Sequence, residues 1–393
     1  MQTPLRIAID VRHIRDFGIG SYIRNLVLAL QRRQDDLSIF LAGRDEDLRN
    51  VPKLDKRFQN VAFPRSDQGV LNQITFPLFL RQFSLDLAHI PLNSVPLLMQ
   101  KPYVVTVHDM SSILFRERGP SISSPRREYR RLRFRRGLHR ANRVIAVSQA
   151  TQRDLESLMN VPPERITQIY GAIDPKFFEP LGSTDSYDLA YHRRQLMERH
   201  QIHYPYLLYA GTIRPQKNIP KLIESFSVLR RELANHPVFH DLRLLVIGDE
   251  IAKYPEVRRS VVHHRLEGAV RFFGFVSFDV LRLFYSAAEA FIFPSVYEGF
   301  GLPPLEAMAC GVPVVCSNQS SIPEAVGDAA ELVNPDNVFD IVRGMREVLL
   351  SPSYREDLIE RGKHRVARFN WDRTADQVMN VYREVIAEHS RKP

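Results

Sequence analysis

Short apolar runs alternate along this chain with longer stretches in which apolar residues recur at helical spacing, and the alternation persists through nearly the whole sequence. In the first half the runs read as strands at Arg6–Val11, Ser38–Ala42, Leu85–Ile90, Tyr103–Val107, Arg143–Val147 and Ile166–Tyr170. In the second half they fall at Tyr206–Ala210, Arg243–Ile247, Val270–Phe273, Ala290–Phe293, Val312–Cys316 and Ala330–Val333. Apolar strands alternating with amphipathic helices predict parallel sheets joined by crossover helices. One sustained break interrupts the pattern: Glu179–Pro205 is polar and carries Pro180, Gly182, Ser183 and Thr184, as a linker does. The chain therefore divides into an N-terminal domain over 1–180 and a C-terminal domain over 200–370. Residues 371–393 hold a last amphipathic helix, with Ala375, Val378, Met379, Tyr382 and Ile386 near helical spacing. The predicted fold class is α/β, two Rossmann-like domains whose parallel sheets face a central cleft, with ligand at the C-terminal ends of the strands.

Chemistry concentrates in Phe291–Glu324, FIFPSVYEGFGLPPLEAMACGVPVVCSNQSSIPE, where Glu298 and Glu306 stand eight apart around a strand-to-helix turn. Pro294 and Ser295 end the strand, and Gly299 and Gly301 allow backbone conformations closed to other residues. Pro303 and Pro304 suit a first helical turn, so a helix is expected from about Pro304 to Cys310, its positive dipole end facing the loop. Such an end favours phosphate. Glu298 then reaches the group attached to the phosphates, and Glu306, placed in the first turn, accepts from vicinal hydroxyls such as those of a ribose. The plainer alternative has Glu306 stabilising the helix start and Glu298 solvated, but it leaves the clustered glycines, prolines and carboxylates unexplained.

Size and charge narrow the class. With 393 residues, 44% apolar and 25% charged, the chain reads as an ordinary globular protein of two domains. Cys310 and Cys316 have no partner cluster for a metal site or a disulfide framework and read as buried apolar residues in a reducing compartment. No signal peptide and no long apolar run stands out, so a cytoplasmic location is expected. Of the net charge of +9, residues 126–140, RREYRRLRFRRGLHR, supply +7, from eight arginines less one glutamate. Such a helix can meet an anionic membrane surface at the inner face, or its arginine stems can cover apolar surface while their heads stay solvated. Nucleic acid is not expected as a partner, since no recognisable nucleic-acid module accompanies the run.

Three further clusters sit at strand-to-helix turns. Gly18-Ile19-Gly20 opens the first helix and suits a diphosphate or an acceptor sugar, while Ile23 stands where a dinucleotide fingerprint needs its third glycine. His108 and Asp109 follow the strand Tyr103–Val107, placed to hydrogen-bond a sugar or to cap the loop. Arg214 and Lys217 follow Tyr206–Ala210, where cations can neutralise charge on a departing diphosphate or simply decorate a helix start. Asp45 and Asp47 are expected to be solvated loop charges rather than a metal clamp.

Taken together, these motifs resemble the signature of the retaining GT-B glycosyltransferases of family 4, glycosyltransferase group 1. Glu298 and Glu306 match the paired glutamates of that family, Gly311, Pro313, Val314 and Val315 its G-x-P-V-V element, and Ser321, Pro323 and Glu324 its S-x-P-E element. The loop Gly18–Tyr22 matches G-I-G-x-Y, Thr106–Asp109 matches T-x-H-D, and Lys217 matches a phosphate-binding lysine, although Thr212 stands where many relatives have arginine. The resemblance spans about residues 5–385 and implies transfer of a mannose- or glucose-type sugar from a nucleoside diphosphate sugar to a glycan or lipid-linked hydroxyl, without a metal or other cofactor. It implies donor contacts from Arg214, Lys217, Val276, Glu298, Gly299, Phe300, Gly301, Leu302 and Glu306. It further implies a catalytic group of Glu298, His108 and Lys217, and an acceptor or diphosphate loop comprising Gly18, Gly20 and Asp109. Similarity to mannosyltransferases favours GDP-mannose; a sugar-nucleotide epimerase of the same fold is the alternative. The final helix is implied to return to the N-terminal domain.

Overall fold

A computed structural model describes residues 4–391 except 17, 68, 70, 116–124 and 180–188. The chain forms two compact α/β units, one built from Met1–Asp174 with Phe369–Pro393, the other from Pro175–Arg368. Part of the expected linker, residues 180–188, lies outside the described residues; its remainder includes a helix, Leu189–His200.

Seven parallel strands make the sheet of the first unit: β1 Leu5–Asp10, β2 Leu37–Gly43, β3 Phe58–Ala62, β4 Leu87–Ile90, β5 Tyr103–Val107, β6 Arg143–Ala146 and β7 Ile166–Gln168. Their order is β3-β2-β1-β4-β5-β6-β7, so the winding reverses between β1 and β4. The central strands carry continuous burial, with Ile7, Ile9, Leu87 and the whole of β5 sealed from solvent, as a sheet covered on both faces requires. Phe58–Ala62 was not anticipated, because as an edge strand of sequence FQNVA it is half exposed and lacks an apolar run.

Six parallel strands make the second sheet: β8 Tyr206–Ala210, β9 Arg243–Ile247, β10 Val270–Gly274, β11 Ala290–Phe293, β12 Val314–Ser317 and β13 Glu331–Val333. The order β10-β9-β8-β11-β12-β13 puts the reversal between β8 and β11, which pair through Ala290 with Leu207 and Phe291 with Leu208. In each unit the loops leaving the two strands at the reversal diverge to opposite faces and leave a crevice at the strand ends. Glycines let neighbouring loops approach here: a β-carbon on Gly248, after β9, would stand 2.0 Å from the Gly211 carbonyl oxygen, after β8.

The helix Trp371–Ser390 belongs to the first unit and is tied in by polar as well as apolar contacts. Trp371 Nε1 donates to the Ile173 carbonyl at 3.0 Å and Thr374 Oγ1 to the Tyr170 carbonyl at 2.8 Å. Deeper in, the buried Tyr382 hydroxyl lies 2.6 Å from His89 Nδ1, whose Nε2 lies 2.7 Å from Thr106 Oγ1. Desolvation holds the His89 pKa down to about 3, so the ring is neutral; with the tyrosine donating to Nδ1, Nε2 carries the proton toward the threonine.

Replacing Tyr382 with Phe leaves the buried His89 Nδ1 unsatisfied and should cost about 1–3 kcal/mol of stability, read by urea denaturation. A change within experimental error would show that this bond does not anchor the helix.

Candidate functional site

The second unit brings together at its strand reversal the two charged residues that the sequence placed far apart. Lys217 ends the single 3-10 turn Pro215–Lys217 after β8, and Glu298 lies in the loop after β11. Lys217 Nζ donates to both carboxylate oxygens, at 2.6 and 2.7 Å, with the two side chains only 14% and 11% exposed. The ammonium also sits 5.3 Å from the centroid of Phe293, the last residue of β11. Asn218 turns the chain with φ 60° and donates from its side chain to the Pro335 carbonyl at 2.7 Å, which starts the helix Ile219–Glu232 directly after the lysine.

Glu298 is held by its backbone as well. Its amide donates to Ser320 Oγ at 3.2 Å, and its carbonyl accepts from Ser320 Oγ at 2.8 Å and Ser321 Oγ at 2.9 Å. Ser321, the serine of the S-x-P-E element, therefore has a physical task, clamping the glutamate loop together with its neighbour Ser320, which takes φ 57°. Gly301 takes φ 104° as the N-cap of the helix Leu302–Ala309. That helix starts two residues earlier than Pro304, which corrects the expectation in two respects. Pro303 and Pro304 now occupy its second and third positions, so among the orphan amides of this helix end only Gly301 and Leu302 can donate. Glu306 becomes the fifth helical residue, beyond the first turn, and the dipole explanation for it weakens. It is oriented instead by Tyr285, whose buried hydroxyl lies 3.2 Å from Glu306 Oε2. Burial, with the nearby Glu306 carboxylate, pushes the Tyr285 pKa far above its ordinary value, so the hydroxyl keeps its proton and donates. Nothing in the residue types or their spacing pointed to Tyr285.

The other expected donor residues lie in the same unit. Arg214 is exposed, immediately before the turn that carries Lys217. Asp249, after β9, accepts from the Ile213 amide at 2.8 Å and from the Tyr254 hydroxyl at 3.1 Å, and so shapes the same loop. Gly274 ends β10 at φ 66°, followed by exposed Phe275 and half-buried Val276. Phe300 is buried and Leu302 half-buried. Cys310 and Cys316 are free and buried.

In the first unit, Gly18 caps the helix Ile19–Arg32 at φ 62°, and a β-carbon at Gly20 would lie 2.3 Å from the Ile14 carbonyl oxygen, so both glycines are required by the backbone. His108, just past β5, donates from Nε2 to the Pro91 carbonyl at 3.2 Å and meets Tyr22 edge-to-face at 4.8 Å between ring centroids. Burial lowers its pKa to about 4 against the opposing pull of Asp109. The ring is therefore neutral near pH 7, and Nδ1, the other ring nitrogen, is an acceptor. Asp109 Oδ1 accepts from the Ser111 amide at 2.8 Å and hydroxyl at 2.6 Å, a local cap. Asp47 differs from expectation: it is fully buried and takes Arg15 Nε at 3.1 Å and Arg44 Nε at 2.7 Å, because the segment folds into the short helix Asp45–Leu48 against β2. Among the described residues no group of three or more His, Cys, Asp or Glu side chains is placed to hold a metal ion.

Residues 193–365 match the family model of the glycosyl transferases group 1, and residues 18–177 that of glycosyltransferase family 4. The O-antigen chain mannosyltransferase B of Escherichia coli is 30% identical over 93% of this chain and 96% of its own length. The O-antigen chain mannosyltransferase RfbU of Salmonella typhimurium is 28% identical, covering 73% of this chain and 70% of its own. Among solved structures, sucrose-phosphate synthase from Thermosynechococcus elongatus superposes with a TM-score of 0.76 at 22% identity, covering 98% of this chain and all of the other. Anabaena HepE in complex with UDP-glucose does so with a TM-score of 0.73 at 17% identity, over 97% of this chain and 100% of its own.

An NMR titration of the His108 imidazole should give a midpoint near 4 rather than 6.5. Because the folded value is depressed, the unfolded chain takes up the proton first, so this contribution to stability is complete above 6.5 and is lost as the pH falls through about 4. A midpoint near 6.5 would contradict the desolvated environment.

Proposed function

The chain belongs to the family 4, group 1 glycosyltransferases and is a GT-B glycosyltransferase, and from that premise we propose that it transfers mannose from GDP-mannose to a glycan or lipid-linked hydroxyl, with retention and without a metal. The observation that carries the site assignment is the Lys217–Glu298 pair at the strand reversal of the second unit. A nucleoside diphosphate sugar offers a diphosphate that carries two negative charges while bound and gains a third as the anomeric C–O bond breaks, and a sugar. In this reading Lys217 exchanges Glu298 for the diphosphate, joined by the Gly301 and Leu302 amides and by Arg214, while the released carboxylate turns to the sugar. Positive charge fixed beside the departing phosphate oxygen does the work for which a divalent ion is used elsewhere. Glu306, steadied by Tyr285, takes the ribose hydroxyls.

His108 suits the handling of a neutral sugar, since a neutral imidazole can accept a hydroxyl proton in a hydrogen bond without adding charge. Gly18 and Gly20 free the backbone of the first unit's loop for the acceptor or the diphosphate. The preference for mannose rests on the named activities of the two O-antigen relatives. We place the reaction in the cytoplasm, with the arginine helix Pro125–Arg140 meeting anionic headgroups at the inner membrane face; among the described residues no helix is long and apolar enough to cross a membrane.

Two measurements check this reading. In a thermal-shift screen of GDP-, UDP-, ADP- and dTDP-sugars, GDP-mannose should raise the melting temperature most, and a larger shift with another base would reassign the donor. Lys217→Ala and Glu298→Gln should each lower transfer by about 10²-fold or more while the fold persists; near-normal rates in both, or formation of an epimer from donor alone, would contradict transfer at this site.

A further inference from the structure

Among the described residues of the first unit, seven large apolar side chains stand exposed, and all of them lie between Leu71 and Leu132. Scattered exposed leucines need no explanation, but this concentration does. Three of the seven, Leu71, Ile74 and Leu78, follow helical spacing along Asn72–Leu80, whose sequence NQITFPLFL contains no charged residue. The opposite side of that helix is anchored: Asn72, Gln73 and Phe76 are buried. The segment 91–99 connects this helix to the arginine helix Pro125–Arg140. Gln73 accepts from the Leu97 amide at 3.0 Å, and exposed Leu98 follows. On either side of Leu97, Arg133 donates to Ser94 Oγ at 2.7 Å, Gly137 lies against Val95, and Arg140 donates to the Met99 carbonyl at 3.3 Å. On the arginine helix, Phe134 and Leu138 are buried, while Tyr129 and Leu132 stand exposed beside exposed Arg130, Arg131, Arg135 and Arg136.

We propose that these two helices form one membrane-docking face, in which Leu71, Ile74, Leu78 and Leu132 enter the acyl boundary of an anionic bilayer while the arginines hold its headgroups. The inference rests on the lipid-headgroup reading of the arginine helix and adds to it an apolar half that the sequence did not disclose. Charge decides the occupant. An apolar stripe flanked by cations is complementary to a surface that is apolar below and anionic above. A second copy docked through the same patch would bring two arginine helices together with like charge, which disfavours it. Such a face would hold the enzyme at the surface where a lipid-linked acceptor is presented.

The test uses the full chain with phosphatidylcholine vesicles made with and without phosphatidylglycerol, and three proteins: the native chain, Leu71→Gln/Ile74→Gln/Leu78→Gln, and Arg131→Glu/Arg135→Glu. Exposed positions are chosen so that folding persists, and unchanged melting temperatures verify it. The native chain should float with the anionic vesicles and not the neutral ones, and each variant should bind about tenfold more weakly or worse. If the apolar triple binds like the native chain, the apolar half is overturned and the arginine reading stands alone. If native binding is absent, or neither variant alters it, both are overturned. Sedimentation showing a native dimer that the triple variant dissolves would assign the patch to a second copy and overturn the membrane proposal. Transfer to a soluble acceptor, measured in the same three proteins, reports on the catalytic reading separately.

Discussion

A lysine and a glutamate pressed together beyond the ends of two neighbouring parallel strands are the interaction on which the chemistry proposed for the second unit depends. At the 2.6 Å of this pair two unit charges attract by about 6 kcal/mol in a surface-like dielectric, but desolvating them offsets much of that gain. The Lys217–Glu298 pair is therefore a poor device for stability. It is a good device for keeping charge in place, since each group is oriented by the other in a crevice that water reaches only in part. A ligand that supplies a better anion for the lysine can take it without unfolding anything, and the carboxylate is then freed at a defined position.

The surrounding structure serves to keep that pair where it is. Strand order sets the place, because β8 and β11 are neighbours at the reversal and each delivers its following loop to the same end of the sheet. Close backbone packing at Gly248 and the turn at Asn218 fix the lysine side. Ser320 and Ser321 fix the glutamate side, and Gly301 lets the chain enter the helix that carries Glu306 toward Tyr285. The two prolines that pre-form this helix also remove two of its donors, so the helix end contributes fewer amides to an anion than its position alone suggests.

Much of this was legible in the sequence. Tyr103–Val107, Tyr206–Ala210, Arg243–Ile247 and Ala290–Phe293 were read to the residue, because strands buried on both faces are continuous apolar runs bounded by turn residues. Motif residues announced themselves by glycine, proline and carboxylate at close spacing. What stayed hidden were partners brought in by the fold. Tyr285 and His89 are single polar side chains on apolar elements, indistinguishable from core until Glu306 and Tyr382 are seen against them. Asp47 looked solvated because its neighbours in sequence are charged, yet Arg15 reaches it from outside the segment. In the helix Asn72–Leu80 the polar residues Asn72 and Gln73 are buried while apolar Ile74 and Leu78 are exposed, so the residue types do not reveal which side is left in water.

The most direct measurement of the central claim is a crystal structure of the chain with GDP bound. Lys217 Nζ should then lie within about 3 Å of a diphosphate oxygen, with its contact to Glu298 lengthened or lost. A diphosphate seated elsewhere, with the Lys217–Glu298 pair intact, would contradict the account.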